Sequence, residues 1–250
     1  VENVSIFNAN IEGDYSKHLG KEGQWGYGID IRGSRNIKIS NCIISNCWGD
    51  GLVISSNPNK FTNNVKLFNT NNVTIERAVI DYNRRNGITI AGGENVIIRN
   101  SLISNTFGTQ PKAGIDFEPD NSKPKMEGIY LENITFFNNA SGINFYLNSY
   151  ADKSVRKNIG IKLNNLVFED QIMALVIYGF DQKIKKQALT GLVEVSGVKL
   201  KNVNKPIFRG ADNHRIIPQF SIRNWNSAAK TMSKNELLKD VKNPIGLDIK

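Results

Sequence analysis

Asp116 and Glu118 stand two residues apart in the run Ala113-Gly114-Ile115-Asp116-Phe117-Glu118-Pro119-Asp120, alternating with apolar neighbours. Such alternation is a half-buried strand, so both carboxylates share one face with about 6.5–7 Å between their Cα atoms. Two acids at that separation can act as acid and base around a glycosidic bond with room for a water, the inverting arrangement. Crowding raises one of the two pKa values and keeps that group protonated near neutrality. Asp50, directly before Gly51, is the third candidate catalyst, although a residue in that place also suits plain turn chemistry.

The strand that carries the acids is one copy of a repeat headed by Gly28, Gly51, Gly87, Gly114 and Gly142, at intervals of 23, 36, 27 and 28 residues. Residues one and three places after each glycine are apolar and point inward; those two and four places after it share the outer face. Stacked in register, the outer residues form a grid of Asp30/Arg32, Val53/Ser55, Thr89/Ala91, Asp116/Glu118, Asn144/Tyr146 and Val176/Tyr178. Small residues in the middle rows predict a shallow groove, walled by loops 16–25, 57–71 and 107–112. With coils about 4.8 Å apart, Asp50 falls about 10 Å and Asp30 about 14 Å from the Asp116 row. Asp30, Arg32 and Asn144 are therefore candidates for substrate binding. Arg84 and Arg85, just before Gly87, can pair with Asp50 or Glu118 or grip a substrate carboxylate. Trp48, Tyr146 and Tyr178 offer surfaces on which sugar rings stack.

A second strand precedes each glycine-headed one and breaks at an Asn, as in Asn36-Ile37-Lys38-Ile39-Ser40-Asn41-Cys42-Ile43-Ile44 and Asn95-Val96-Ile97-Ile98-Arg99-Asn100-Ser101-Leu102-Ile103. Asn tolerates the left-handed conformation of a sharp bend, and Asn41, Asn100, Asn133 and Asn165 should stack as one structural column. Three short strands per repeat and no intervening helix predict an all-β chain, a single-stranded right-handed parallel β-helix. The β-helix should occupy roughly residues 1–226. A tail over 227–250 then caps it: Ser233 and Glu236 form a capping box ahead of a short helix that stops near Pro244. The opening at Val1, already inside a repeat, reads as a processed or excised segment lacking upstream coils.

At this point the chain resembles the right-handed parallel β-helix superfamily, similar in outline to pectate lyases, polygalacturonases and phage tailspike depolymerases. The segments Trp48-Gly49-Asp50-Gly51, Arg84-Arg85-Asn86-Gly87 and Gly114-Ile115-Asp116-Phe117-Glu118-Pro119 look like those of carbohydrate-active and phage-associated members. The Gly-His-Gly and Arg-Ile-Lys signatures of polygalacturonases and the Arg-x-Pro-x-x-Arg of pectate lyases are absent. The resemblance implies a polysaccharide substrate, an extracellular or virion-associated location and, for a tail-derived protein, a homotrimer.

Composition narrows the partners. The formal charge is +9, and all of the excess lies in residues 151–250, with 18 Lys and Arg against 9 Asp and Glu. These lysines are scattered and not interleaved with aromatics, which argues against a nucleic-acid groove. No apolar run is long enough to span a membrane. Cys42 and Cys47 fit small buried side chains, and two His without clustered partners exclude a His-based zinc site. The leading expectation is a glycoside hydrolase that needs no cofactor. A lyase or epimerase acting on uronic acids is the enzyme alternative, with Arg85 or Tyr146 as base and Ca²⁺ on the acids. The non-enzymatic alternative is a glycan-binding adhesin or tail module.

Overall fold

Three alternating strand segments per repeat cannot each bury an apolar side alone, and they do so by winding around one axis. A computed structural model gives the arrangement and describes residues 1–56, 68–150, 157–178, 189–209, 219–227, 230–242, 244 and 246–250. Residues 57–67 of the expected loop 57–71, and His214, lie outside the described residues.

The first face stacks Glu2–Phe7, Arg35–Ser40 and Asn71–Glu76 on the leading parts of Gly93–Ser104, Met126–Phe137, Lys157–Ile177, Leu189–Phe208 and Gln219–Ser227. The second face stacks Asn10–Glu12, Ile43–Ser45 and Val79–Asp81 on the following parts of the same long strands. The third face stacks Ile29–Arg32, Leu52–Ser55, Ile88–Ile90, Ala113–Phe117 and Ser141–Phe145 on the closing parts of Lys157–Ile177 and Leu189–Phe208. Every one of these pairings is parallel, so the chain is a right-handed parallel β-helix.

The corners follow from single residues. Asn8, Asn41, Arg77, Asn100, Asn133 and Asn165 form the column between the first and second faces, with φ between 52° and 55°. Asn133 donates to Asn100 at 3.0 Å, and the Arg77 Nε takes the same part toward Asn41 at 2.6 Å. A second column, Asn46, Tyr82, Asn105, Asn138, Asp170 and Asn202, turns the chain after the second face, again at positive φ. Such bends cost an ordinary residue strain, which the coil-to-coil amide bonds offset.

Inside, like stacks on like: Phe117 lies parallel to Phe145 and Phe136 to Phe168, each with ring centroids 4.9 Å apart. These columns also explain the glycine heads. A Cβ on Gly28 would lie 2.5 Å from Ile44 Cγ2 and one on Gly51 2.7 Å from Ile80 Cγ2, while at Gly142 it would collide with the Phe168 ring. The residue heading the third face thus has to be small so that the second face can pack behind it. Gly142→Ala should therefore lower stability by about 1–3 kcal/mol through overpacking. Urea unfolding checks this; an unchanged midpoint would show that the Phe168 column yields.

The tail differs from a simple cap. Ser233 and Glu236 form the capping box of the helix Lys234–Leu238, whose Leu237 is buried. Beyond it, Leu247–Ile249 pairs in parallel with Gln219–Ser227 and adds a strand to the first face. The 227–250 segment, expected as a capping helix, therefore also continues the winding. Among the described residues no helix is long and apolar enough to cross a membrane.

Candidate active site

The register of the third face sets Asp30, Val53, Thr89, Asp116, Asn144 and Val176 side by side on successive strands. The inward places hold Ile54, Ile90, Phe117 and Phe145, all buried. Asp116 and Glu118 are thus on the outer face, but the expected open groove is not what lies there. Asp116 is only 1% exposed and Asp50 is fully buried, whereas the Glu118 side chain keeps 32% of its surface. Thr89, Ala91 and Asn144 are likewise buried. The row expected as a low open floor is closed, and Glu118 is the one of the three acids that reaches solvent.

Arg85 organises the acids. Its Nη1 donates to both Asp50 oxygens, at 3.0 and 3.3 Å, and its Nη2 donates to Glu118 Oε2. Asp50 also accepts from the Thr89 hydroxyl at 2.7 Å and from the Asn86 backbone N–H at 3.1 Å. Asp50 heads the Leu52–Ser55 strand, two inter-strand steps from Asp116, and the Thr89 hydroxyl on the strand between them reaches its carboxylate. Burial pushes the Asp50 carboxyl up to about 6, even though Arg85, Thr89 and Asn86 each pull it down.

Asp116 also feels the charge of Glu118. The inverting arrangement expected from Cα spacing needs a water beside one of the two acids, and Asp116 is sealed from solvent. Asp116 Oδ2 is 3.5 Å from the Asn86 amide nitrogen, and its Oδ1 has no donor. Burial first, and then the Glu118 charge, push the Asp116 carboxyl well above the usual carboxylate range. Of these two acids, Glu118 is the one open to solvent.

The remaining candidates divide. Tyr146 and Tyr178 follow Glu118 along the next two strands, packed edge to face at 5.4 Å and 39% and 41% exposed. They are the aromatic rim beside Glu118. Asn144 adjoins Asp116, and its buried Oδ1 is without a donor. Asp30 and Arg32 pair with each other at 3.1 Å on the surface, three strands from Asp116. Arg84 and Trp48 do not join the acids. The Arg84 guanidinium lies 3.7 Å from the Trp48 ring and donates to the carbonyls of Gly23, Lys21 and Trp48. His18 stacks on the same indole at 3.9 Å. With both groups against it, Trp48 anchors loop 16–25 and is not an open sugar platform.

Thr89 and Asn86 were not singled out as functional in the sequence, yet they hold Asp50 and Asp116. The signal was present: Asn86 precedes Gly87 as Asp50 precedes Gly51, so the two stack. A Ca²⁺ on these acids, which the lyase alternative allowed, would have to displace Arg85, whose guanidinium already bridges Asp50 and Glu118.

A family model described as the right handed beta helix region matches residues 2–162. The uncharacterized protein YclG of Bacillus subtilis (strain 168) is 32% identical over 126 residues, 47% of this chain and 21% of that protein. The SPbeta prophage-derived uncharacterized protein YorA of the same strain is 30% identical over 126 residues, 47% and 22% of the two chains. The matched region thus spans about a fifth of the length of these curated relatives. Among solved structures, the tailspike gp49 from Acinetobacter baumannii bacteriophage Fri1, a capsular polysaccharide depolymerase, aligns with a TM-score of 0.47 and 12% identity over 100% of this chain and 43% of its own. The Agl-KA catalytic domain aligns with a TM-score of 0.32 and 13% identity over 90% and 49%.

Proposed function

Because the chain belongs to the right handed beta helix family, whose stacked strands present one continuous outer face, we propose that its third face binds a polysaccharide and hydrolyses it at Glu118. The observation that carries this reading is Glu118, the solvent-facing member of a buried acid cluster tied together by Arg85, set against the exposed rings of Tyr146 and Tyr178. Sugar rings stack on the tyrosines and bring a glycosidic oxygen to Glu118. Glu118 gives a proton to that oxygen as the C–O bond breaks. Water adds to the anomeric carbon, and its proton returns to Glu118. Arg85 steadies the carboxylate that forms when the proton leaves.

Hydrolysis is favoured over elimination by one feature. Arg85 is held between two carboxylates and is not free to neutralise a uronate. A second reading, glycan binding without cleavage, is supported by the same Asp50–Arg85–Glu118 chain, since ion pairing alone would account for those charges. Incubation with a panel of bacterial capsular and plant polysaccharides separates the readings. New reducing ends support hydrolysis, ultraviolet-absorbing unsaturated ends support a lyase, and retention on the glycan with no product supports binding alone. On this reading the substrate lies outside the cell or on its surface, where a secreted or virion-borne protein meets it.

A further inference from the structure

The outward residues of the first face form a trough of about 370 Å³, on a different sheet from Glu118. Register builds it. Tyr130 pairs with Lys162, and Lys162 with Glu194; Glu132 pairs with Asn164, Asn164 with Ser196, and Ser196 with Arg223. The trough therefore crosses four strands, three steps of about 4.8 Å each. That length suits a short oligosaccharide better than a single ring. Its floor is low because Asn164 and Ser196 are short and bonded to each other, the Ser196 hydroxyl donating to Asn164 Oδ1 at 3.1 Å. Tyr130, 44% exposed, forms one wall.

The charges select the ligand. Glu194 accepts from Lys162 at 3.1 Å and from Arg223 at 3.3 Å, so both cations are engaged by one carboxylate already on the protein. An anionic ligand finds no unengaged cation there. Glu132 has no ion pair among the described residues and is an acceptor open to hydroxyl groups. Two cations against two anions leave the lining neutral. An exposed aromatic ring beside fixed acceptors in a neutral concavity is the chemistry that recognises an uncharged, hydroxyl-rich ring. Ion pairing would explain Glu194 but not an exposed tyrosine over a hollow.

We propose that this trough is a second saccharide-binding site, which holds a neutral oligosaccharide by stacking on Tyr130 and by hydroxyl donation to Glu132 and Glu194. It anchors a glycan without cleaving it, and it stands whether or not Glu118 is catalytic.

Affinity electrophoresis of the full chain through gels containing dextran, mixed-linkage β-glucan, galactomannan or polygalacturonate tests this. The wild type should be retarded in at least one neutral gel. Tyr130→Ala should weaken that retardation about tenfold, and Glu132→Gln should weaken it less. Both trough residues lie on the surface, so circular dichroism and melting of the variants should match the wild type. Retardation in no neutral gel, retardation in polygalacturonate alone, or full retardation of Tyr130→Ala would each overturn the proposal.

Discussion

Glu118→Gln should lower polysaccharide cleavage about a thousandfold, within the range of a lost general acid or base. Gln keeps the shape and an oxygen that can accept from Arg85, but it cannot carry or release the proton. The fold should hardly notice. The Glu118 side chain is about one-third exposed, so its pairing with Arg85 is screened and contributes less than about 1 kcal/mol. Rate measurement beside a melting curve checks both halves. A variant that cleaves at the wild-type rate would remove Glu118 from the chemistry. One that loses cleavage only because it unfolds would make the residue structural.

The second large effect concerns Arg85→Ala, which should destabilise the protein by about 3–5 kcal/mol at pH 8, the cost of stranding a buried charge. Arg85 and Asp50 keep only 9% and 1% of their side-chain surface, so solvent cannot take over the lost partner. The pH dependence has a defined sign. Asp50 is held up at about 6 in the fold, so between its ordinary carboxylate range and 6 the folded state binds more protons than the unfolded one. Stability from this group therefore falls as pH rises through that window. Without Arg85 the carboxyl is pushed higher still, and the deficit should be largest at pH 8 and shrink toward pH 5. Denaturant unfolding at the two pH values measures it. A loss equal at both, or below about 1 kcal/mol, would mean that Arg85 does not compensate Asp50. Adding Asp50→Asn to Arg85→Ala should recover much of the loss, because a neutral amide needs no counter-charge.

The coil itself was legible because its cause is local. Period-two alternation, the Asn turns and the glycine heads each encode one geometric fact, and together they specify the stacking of Asp30, Val53, Thr89, Asp116 and Asn144. Which side chains face outward was legible for the same reason. Closure of that face was not. Alternation tells which side a residue is on but not what lies across it, so Asp116 read as open when it is sealed. Nor does Cα spacing give the exposure of a carboxyl: of two acids on one strand face, Glu118 reaches solvent and Asp116 does not. Trp48 and Arg84 show a further limit. Both are suited to bind sugar, and both are instead engaged with loop 16–25, a pairing across more than sixty residues that no periodicity records. The strand Leu247–Ile249 was missed because three residues after a helix carry too short an alternation to be seen.

The chemistry at Glu118 is tested most directly by cleaving a polysaccharide in water enriched with heavy oxygen and weighing the products. Hydrolysis at Glu118 predicts one heavy oxygen at each new reducing end in the wild type and about a thousandfold slower appearance of labelled product from Glu118→Gln. Unsaturated products without label, or labelled products formed by Glu118→Gln at the wild-type rate, would contradict it.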